Sequence, residues 1–303
     1  MKKILILGCG YLGYNLATAL SENYDVLVIS RKNRYISDRN VNFKLYEFDY
    51  SDFKKLNGPD LSGYIVINAL GSITPSKDIS YLCEDFKFYD MLTKLLLVLS
   101  KKNIKRFIHI SSGGTVYGNK NILPICEDEV LEATSIYSLQ KIFFEEFLKV
   151  NYHENGIPFS IMRISNPYGG YQILNKQQGL IPIVIKNIIS NTNMNIWADL
   201  NTIRDYIYIS DLIKAFEIII EKDESENEIY NVGSGIGTSI KEVIQICEHV
   251  TNKKLNYIHE PKNIALIGKN ILNIHKIKNL GFKIDTDLSQ GIKMEYDRIK
   301  NEN

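Results

Sequence analysis

The sequence predicts an α/β protein: a doubly wound parallel sheet with helices on both faces, followed by a smaller C-terminal lobe. Three observations predict it. Short runs that are apolar throughout alternate with longer stretches of helical periodicity, the pattern of parallel strands buried on both faces. A glycine-rich turn, Gly8-Cys9-Gly10-Tyr11-Leu12-Gly13, directly follows the first apolar run. The alternation then breaks after Pro167 into a polar, irregular stretch at 169–178.

The elements follow in order. Residues 3–7 (KILIL) are the first expected strand, and 11–21 a helix with Leu12, Leu16, Ala19 and Leu20 at helical spacing. Strands are expected at 25–30, 43–49 and 64–70, then a long helix at 82–102. A strand at 106–112 (RFIHISS), a helix at 134–155 and a strand at 159–165 complete a first domain, 1–167. The remaining 168–303 is expected to form mainly a second lobe, with some segments returning to the first domain. Helices are expected there near 182–190, 211–222 and 239–250, and strand-like runs at 195–198, 206–209 and 228–232. The acidic run 221–228 (EKDESENE) reads as a solvated loop.

Composition narrows the class. Lys+Arg number 36 and Asp+Glu 35 in 303 residues, so no global field points to nucleic acid or an anionic membrane surface. Hydrophobic residues make up 45%, which suits a globular chain and argues against disorder. No stretch approaches the ~18 apolar residues of a membrane span. The N-terminal apolar run is too short for a signal peptide and ends in a glycine turn. Cys9, Cys83, Cys126 and Cys247 form no CxxC pair, so free thiols, no metal site and a cytoplasmic location are expected.

The turn Gly8–Gly13 is G-x-G-x-x-G between a strand and a helix, the context in which that pattern binds a dinucleotide. Gly8 allows the tight turn, Gly10 lets a pyrophosphate approach the backbone, and Gly13 lets the helix pack on the strand. The 25–30 strand ends Ser30-Arg31-Lys32, with no carboxylate at its tip. A carboxylate there would bond a ribose 2′-hydroxyl, whereas Arg31 and Lys32 favour a 2′-phosphate. NADP(H) is therefore expected ahead of NAD(H).

Tyr137 and Lys141 are spaced Y-x-x-x-K on the 134–155 helix and share one face. A nearby ammonium favours the phenolate, which makes Tyr137 usable as a general acid or base. The preceding strand ends Ser111-Ser112-Gly113-Gly114-Thr115, where a doubly wound sheet presents ligands with hydroxyls. Thr115, after two glycines, is expected to orient a substrate oxygen, and Ser112 to act mainly on stability.

With these motifs the chain resembles an extended short-chain dehydrogenase/reductase of the nucleotide-sugar epimerase/dehydratase family. GCGYLG, SSGGTVYG, YSLQK, RISNPYG, QGLIP, RDYIYISDL and YNVGSGIGTS occur in the family's order over roughly residues 4–290. The resemblance implies a Rossmann-type first domain and a nucleotide-sugar-binding lobe. It implies Tyr137 and Lys141 as the catalytic pair, with Ser112 or Thr115 as the assisting hydroxyl. Cofactor contacts would come from Gly8, Gly10, Tyr11, Leu12, Gly13, Ser30, Arg31, Lys32, Asp49, Tyr50, Ala69, Leu70, Gly71, Ser111 and Pro167, besides Tyr137 and Lys141. Substrate contacts would come from Ser72, Asn166, Leu180, Ile181 and Arg204, the last on the diphosphate. The bland alternative for Arg204 is an ion pair with Asp205 or Asp211.

The chain departs from the family pattern in three places. Gly113 stands where relatives usually carry Ser or Thr. Glu260-Pro261-Lys262-Asn263 lacks an Arg that often grips the diphosphate, so Lys262 is the substitute. Gly114-Thr115 replaces the Asp-Glu pair of the dehydratases, which argues against elimination at C6. The resemblance implies hydride chemistry at C4 of a nucleotide-activated hexose. Ser30-Arg31-Lys32 leans toward an NADPH-dependent 4-keto-(6-deoxy)sugar-nucleotide reductase, because a reductase needs a fresh hydride each turnover. SSGGTVYG and QGLIP lean toward a UDP-hexose 4-epimerase. A non-catalytic dinucleotide-binding sensor is the reading from another class, and the intact Tyr137/Lys141 pair opposes it. A homodimer through the helices at 82–102 and 134–155 is also implied.

Overall fold

A computed structural model describes residues 1–31, 41–49, 52, 55, 59–71, 80, 82–172, 179–260 and 267–302. Lys32, Tyr50, Ser72 and Lys262, singled out in the sequence, lie outside the described residues.

The alternating half runs β1 (Lys3–Leu7), α1 (Tyr11–Leu20), β2 (Asp25–Ser30), β3 (Lys44–Glu47), β4 (Ile65–Asn68), α2 (Leu82–Ser100), β5 (Arg106–Ser112), α3 (Ile136–Asn155) and β6 (Phe159–Ile164). It continues through β7 (Asn166–Tyr168), α4 (Leu180–Ser190), β8 (Met194–Ile196), β9 (Ile203–Tyr208), α5 (Ile209–Glu221), β10 (Glu228–Val232) and β11 (Gly237–Ser239). The last elements are α6 (Ile240–Thr251), β12 (Tyr257–His259), α7 (His275–Asn279) and α8 (Leu288–Glu302).

Seven strands form one sheet in the order β10-β6-β5-β4-β1-β2-β3. The ladders β3/β2, β2/β1, β1/β4 and β4/β5 are parallel. Chain order reverses between β1 and β4, so their carboxyl ends flank a topological switch point, where such sheets take ligands. Continuous apolarity explains the burial: Ile4–Leu7 and Ile65–Ile67 are all in the core. One cluster joins Leu5, Leu7 and Val66 to Leu92, Leu95, Leu96 and Leu99 of α2 and Phe144 and Leu148 of α3.

The chain divides into two compact units. The first comprises Met1–Val116, Leu131–Arg163 and Phe216–Tyr230; the second comprises Tyr117–Val130, Ile164–Ala215 and Asn231–Asn303. Residues 117–130 and 164–167, expected with the first domain, thus fall in the second unit. Within it, β11-β9-β7 make a small sheet and β12 pairs with β8.

Differences at element ends have local causes. The strand expected at 64–70 stops at Asn68, whose Oδ1 accepts the Leu70 amide at 3.1 Å and turns the chain. The helix expected from 182 begins at Leu180, because Pro182 occupies the first turn, where its missing N–H costs no helical bond. The acidic run is not simply a solvated loop. It closes α5 and wraps the buried Arg106 guanidinium, which donates to Ile220 O at 3.2 Å, Lys222 O at 3.1 Å and Ser225 Oγ at 2.6 Å. A cation suits those last helical carbonyls.

Cys9, Cys126 and Cys247 are free, and burial pushes the Cys9 and Cys247 thiols up to about 12. Among the described residues no helix is long and apolar enough to cross a membrane.

Candidate functional site

The turn between β1 and α1 is fixed by its glycines. Gly8 donates its amide to Ile29 O at 2.9 Å and has φ +97°, a region other residues avoid. A Cβ on Gly13 would lie 1.9 Å from Gly8 O, so only glycine allows α1 to approach the turn this closely. A Cβ on Gly10 would meet nothing within 4 Å. That open space lies at the N-terminus of α1, which has no side-chain cap. Uncapped first-turn amides beside open space suit an anion such as a pyrophosphate. Tyr11 and Leu12, in that turn, are half-buried. Across the switch point, a Cβ on Gly8 would sit 3.0 Å from Leu70 and 3.1 Å from Ala69 O, and Gly71 is exposed. These features fit a dinucleotide.

At the end of β2, Ser30 is buried and its hydroxyl donates to Arg31 O at 2.9 Å. The exposed group there is Arg31. Asp49, also exposed, follows β3.

The hydroxyl, phenol and ammonium expected after β5 come together. A capping box between Ser135 and Ser138 starts α3 and sets Tyr137 in its first turn. Tyr137 is half-buried, and its phenol is hydrogen-bonded to the Ser112 hydroxyl. Lys141 lies one turn on, its Nζ 5.7 Å from the Tyr137 ring centroid and donating to Ile110 O at 2.7 Å. Burial raises the Tyr137 phenol above its usual range, and the Ser112 bond opposes that rise. Burial lowers Lys141 to about 8, opposed by Glu145. The sequence attributed phenol tuning to Lys141; here the opposing contact is Ser112, and burial outweighs it.

The two candidate hydroxyls stand differently toward the phenol. Ser112, not Thr115, meets the phenol. The Thr115 amide donates to Ser112 O at 3.2 Å, and its Oγ1 is buried with no partner among the described residues. Ser111 is buried, with its hydroxyl committed to the Glu145 carboxylate rather than open at the strand end.

In the second unit, Asn166 on β7 donates Nδ2 to Asp205 O at 2.8 Å, and Pro167 beside it is half-buried. Leu180 is half-buried at the start of α4, but Ile181 is in the core, so its side chain is not a surface contact. Arg204 on β9 donates to Ile203 O at 2.8 Å and Gly268 O at 3.5 Å. Burial lowers its pKa, and among the described residues no carboxylate pairs with it. The ion-pair alternative therefore fails. Asp205 accepts from Ser234 N and Oγ, both at 2.8 Å, Gly235 N at 3.0 Å and Leu272 N at 3.4 Å. Asp211 is taken by Lys214 at 3.0 Å and the Thr286 amide at 2.9 Å. A half-buried cation with carbonyl partners alone is a natural diphosphate ligand.

Sequence reasoning missed Asp205 as the anchor of 233–235, and missed Glu145 and Arg163. Glu145 had a signal: it continues Y-x-x-x-K to Y-x-x-x-K-x-x-x-E, one further turn on the same helix face.

Comparison with known proteins places the chain in a family. A family profile described as the NAD dependent epimerase/dehydratase family matches residues 4–233. A Methanocaldococcus jannaschii protein provisionally named a UDP-glucose 4-epimerase is 31% identical over 304 residues, 98% of this chain and 97% of that protein. The Escherichia coli dTDP-4-dehydro-6-deoxyglucose reductase is 34% identical over 260 residues, 82% of this chain and 81% of its own. The crystal structure of Thermotoga maritima UDP-glucose 4-epimerase with UDP-glucose superposes with a TM-score of 0.88 at 25% identity, covering 99% of both chains. The chain is therefore an enzyme of the NAD-dependent epimerase/dehydratase family, the nucleotide-sugar branch of the extended short-chain dehydrogenases/reductases.

Proposed function

We propose that this enzyme transfers hydride at C4 of a nucleotide-linked hexose, and that it works as a 4-keto-6-deoxysugar-nucleotide reductase using NADPH. The contact between Ser112 and Tyr137, with Lys141 one turn away, carries the reading of hydride transfer at C4. A phenol held by a hydroxyl can pass its proton to a C4 oxygen as negative charge develops there, and a nearby ammonium stabilises the phenolate left behind. The dinucleotide, when bound, supplies the hydride. Gly10 and the first turn of α1 would take its pyrophosphate, Lys141 would hold a ribose hydroxyl, and Arg204 the sugar-nucleotide diphosphate. The end of β2 reads Ser30-Arg31-Lys32 with no carboxylate of its own, which favours the phosphorylated dinucleotide. The likeness to the Escherichia coli reductase supports the direction.

A second reading, UDP-hexose 4-epimerase, is supported by the end-to-end likeness to the Methanocaldococcus jannaschii protein and to the Thermotoga maritima structure. The non-catalytic sensor is set aside, because the family is one of enzymes. A cytoplasmic homodimer is part of the proposal. The exposed Leu139, Phe143 and Val150 of α3 and Phe86 and Leu97 of α2 support such an interface.

One assay panel tests the reading. Purified protein receives 4-keto-6-deoxy nucleotide sugars with NADPH or NADH, and UDP-glucose or UDP-galactose with NAD⁺. Reduction of a keto sugar, with NADPH bound more tightly than NADH and Arg31→Ala weakening NADPH alone by about tenfold, is the expected result. Equal binding of the two dinucleotides overturns the cofactor assignment. Interconversion of the UDP-hexoses with no keto reduction replaces the reductase by the epimerase.

A further inference from the structure

Below Lys141 lies a buried charged cluster to which the proposed reaction gives no part. Glu145 and Arg163 have side chains 0% and 2% exposed. Arg163 donates Nε to both carboxylate oxygens at 3.1 Å and Nη2 to Oε2 at 2.6 Å, while Ser111 Oγ donates to Oε1. One carboxylate on α3 is thus clamped by β6 and β5. A buried ion pair is a poor device for stability, since apolar residues of the same volume often serve as well or better. Its place here points to another use. Lys141 is one turn earlier on the same helix, is itself buried, and among the described residues donates to the carbonyl of Ile110. Burying an ammonium favours loss of its proton unless an anion opposes it.

The other ionisable groups around Lys141 do not fill that need. The Tyr137 phenol is kept neutral by burial. His109 on β5 is held neutral by burial and by the Lys141 charge itself. Arg163 is a cation. Glu145 is the anion that opposes the effect of burial on Lys141.

We propose that Glu145, clamped by Arg163 and Ser111, is a positioning residue that acts one helical turn away to keep the Lys141 ammonium charged beside Tyr137. The proposal rests on the reading of Tyr137 and Lys141 as the proton-handling pair. Glu145 touches neither substrate nor cofactor in it; it acts through Lys141.

The test titrates Lys141 directly and through turnover. Protein carrying lysine labelled with carbon-13 at Cε is titrated by NMR, and the Lys141 signal is identified by its loss in Lys141→Met. Wild-type Lys141 should titrate near 8, and the alkaline fall of kcat should follow it. Glu145→Gln removes the charge and keeps the shape. It should lower both midpoints by about one to three pH units, whereas Glu145→Asp should restore them. A merely structural Glu145 would lower the melting temperature and leave the Lys141 midpoint in place, which overturns the proposal. Glu145→Gln strands Arg163, so the double variant Glu145→Gln/Arg163→Met covers a failure to fold and should also show a lowered midpoint, by less than the single variant because the stranded cation is gone. If neither variant folds, Glu145 is a stability element and the proposal falls. Near-full turnover in Tyr137→Phe would instead overturn the functional reading, and the NMR midpoint would still report the Glu145–Lys141 coupling.

Discussion

Replacing Ser112 by alanine isolates the contact on which the proposed chemistry turns. Burial raises the Tyr137 phenol, and the Ser112 hydroxyl bond opposes it by favouring the phenolate. A hydrogen bond to a charged partner contributes about 1.5–3 kcal/mol where water is largely excluded. One pH unit is about 1.4 kcal/mol, so Ser112→Ala should raise the phenol by about one to two units. The sign then differs between the two directions of reaction. In oxidation Tyr137 takes the proton, and the rise of kcat/KM with pH should move to higher pH. In reduction Tyr137 gives the proton, and a weaker acid should lower kcat/KM by about tenfold or more. Stopped-flow hydride transfer in both directions, across neutral and alkaline pH, measures both effects, and Ser112→Thr should recover most of the loss. Thr115→Val is the control. Its Oγ1 is buried and has no partner among the described residues, so its removal should leave stability unchanged or slightly improved. Superimposable pH profiles for Ser112→Ala and the wild type would refute the reasoning. A silent Ser112→Ala beside a crippled Thr115→Val would reverse the two roles.

Two further outcomes are expected. Gly13→Ala drives a Cβ into the Gly8 carbonyl; it should destabilise the fold by about 1–3 kcal/mol in urea unfolding and abolish measurable dinucleotide binding, and wild-type affinity in the variant would contradict the close approach. Arg204→Gln should weaken UDP or dTDP by about tenfold or more in calorimetry with little change in melting temperature, since Arg204 has no carboxylate partner among the described residues; loss of stability with unchanged affinity would make Arg204 structural.

Much of this was legible because backbone geometry leaves few alternatives. The runs at Lys3–Leu7, Asp25–Ser30, Arg106–Ser112 and Glu228–Val232 are strands with the expected bounds, and in the first two a continuous apolar run suits a doubly covered parallel strand. The glycine turn was legible because Gly13 packs on a carbonyl and Gly8 needs a positive φ. The illegible parts depend on polar groups turned inward. Helix α8 hides because Glu295 sits fully buried between Ile292 and Ile299, bonded to Arg298 at 2.6 and 2.9 Å, so the apolar stripe is broken at its centre. Asp205 looked like a partner for its neighbour Arg204. Only the folded chain shows it accepting from Ser234, Gly235 and Leu272 instead. Spacing put Tyr137 and Lys141 on one helix face, but which hydroxyl bonds the phenol depended on a turn whose path composition does not dictate.

The same distinction separates the family from the reaction. A phenol, an ammonium and a hydroxyl manage the proton on a sugar oxygen, and by microscopic reversibility they serve reduction and oxidation alike. An arrangement of Ser112, Tyr137 and Lys141 therefore suits a reductase and an epimerase equally. What divides the two enzymes is the life of the dinucleotide on the protein. An epimerase retains it and restores it within each turnover, whereas a reductase must release it oxidised and take it up reduced. Selection of the reduced cellular pool acts where the adenosine ribose is held, beyond β2. There the chain presents Arg31 and turns Ser30 inward, and the sequence Ser30-Arg31-Lys32 carries no carboxylate of its own. Under the proposed function, reaction direction is thus decided by charge at the end of β2, and substitutions within the hydroxyl cluster should change rates in both directions without changing which one the enzyme runs.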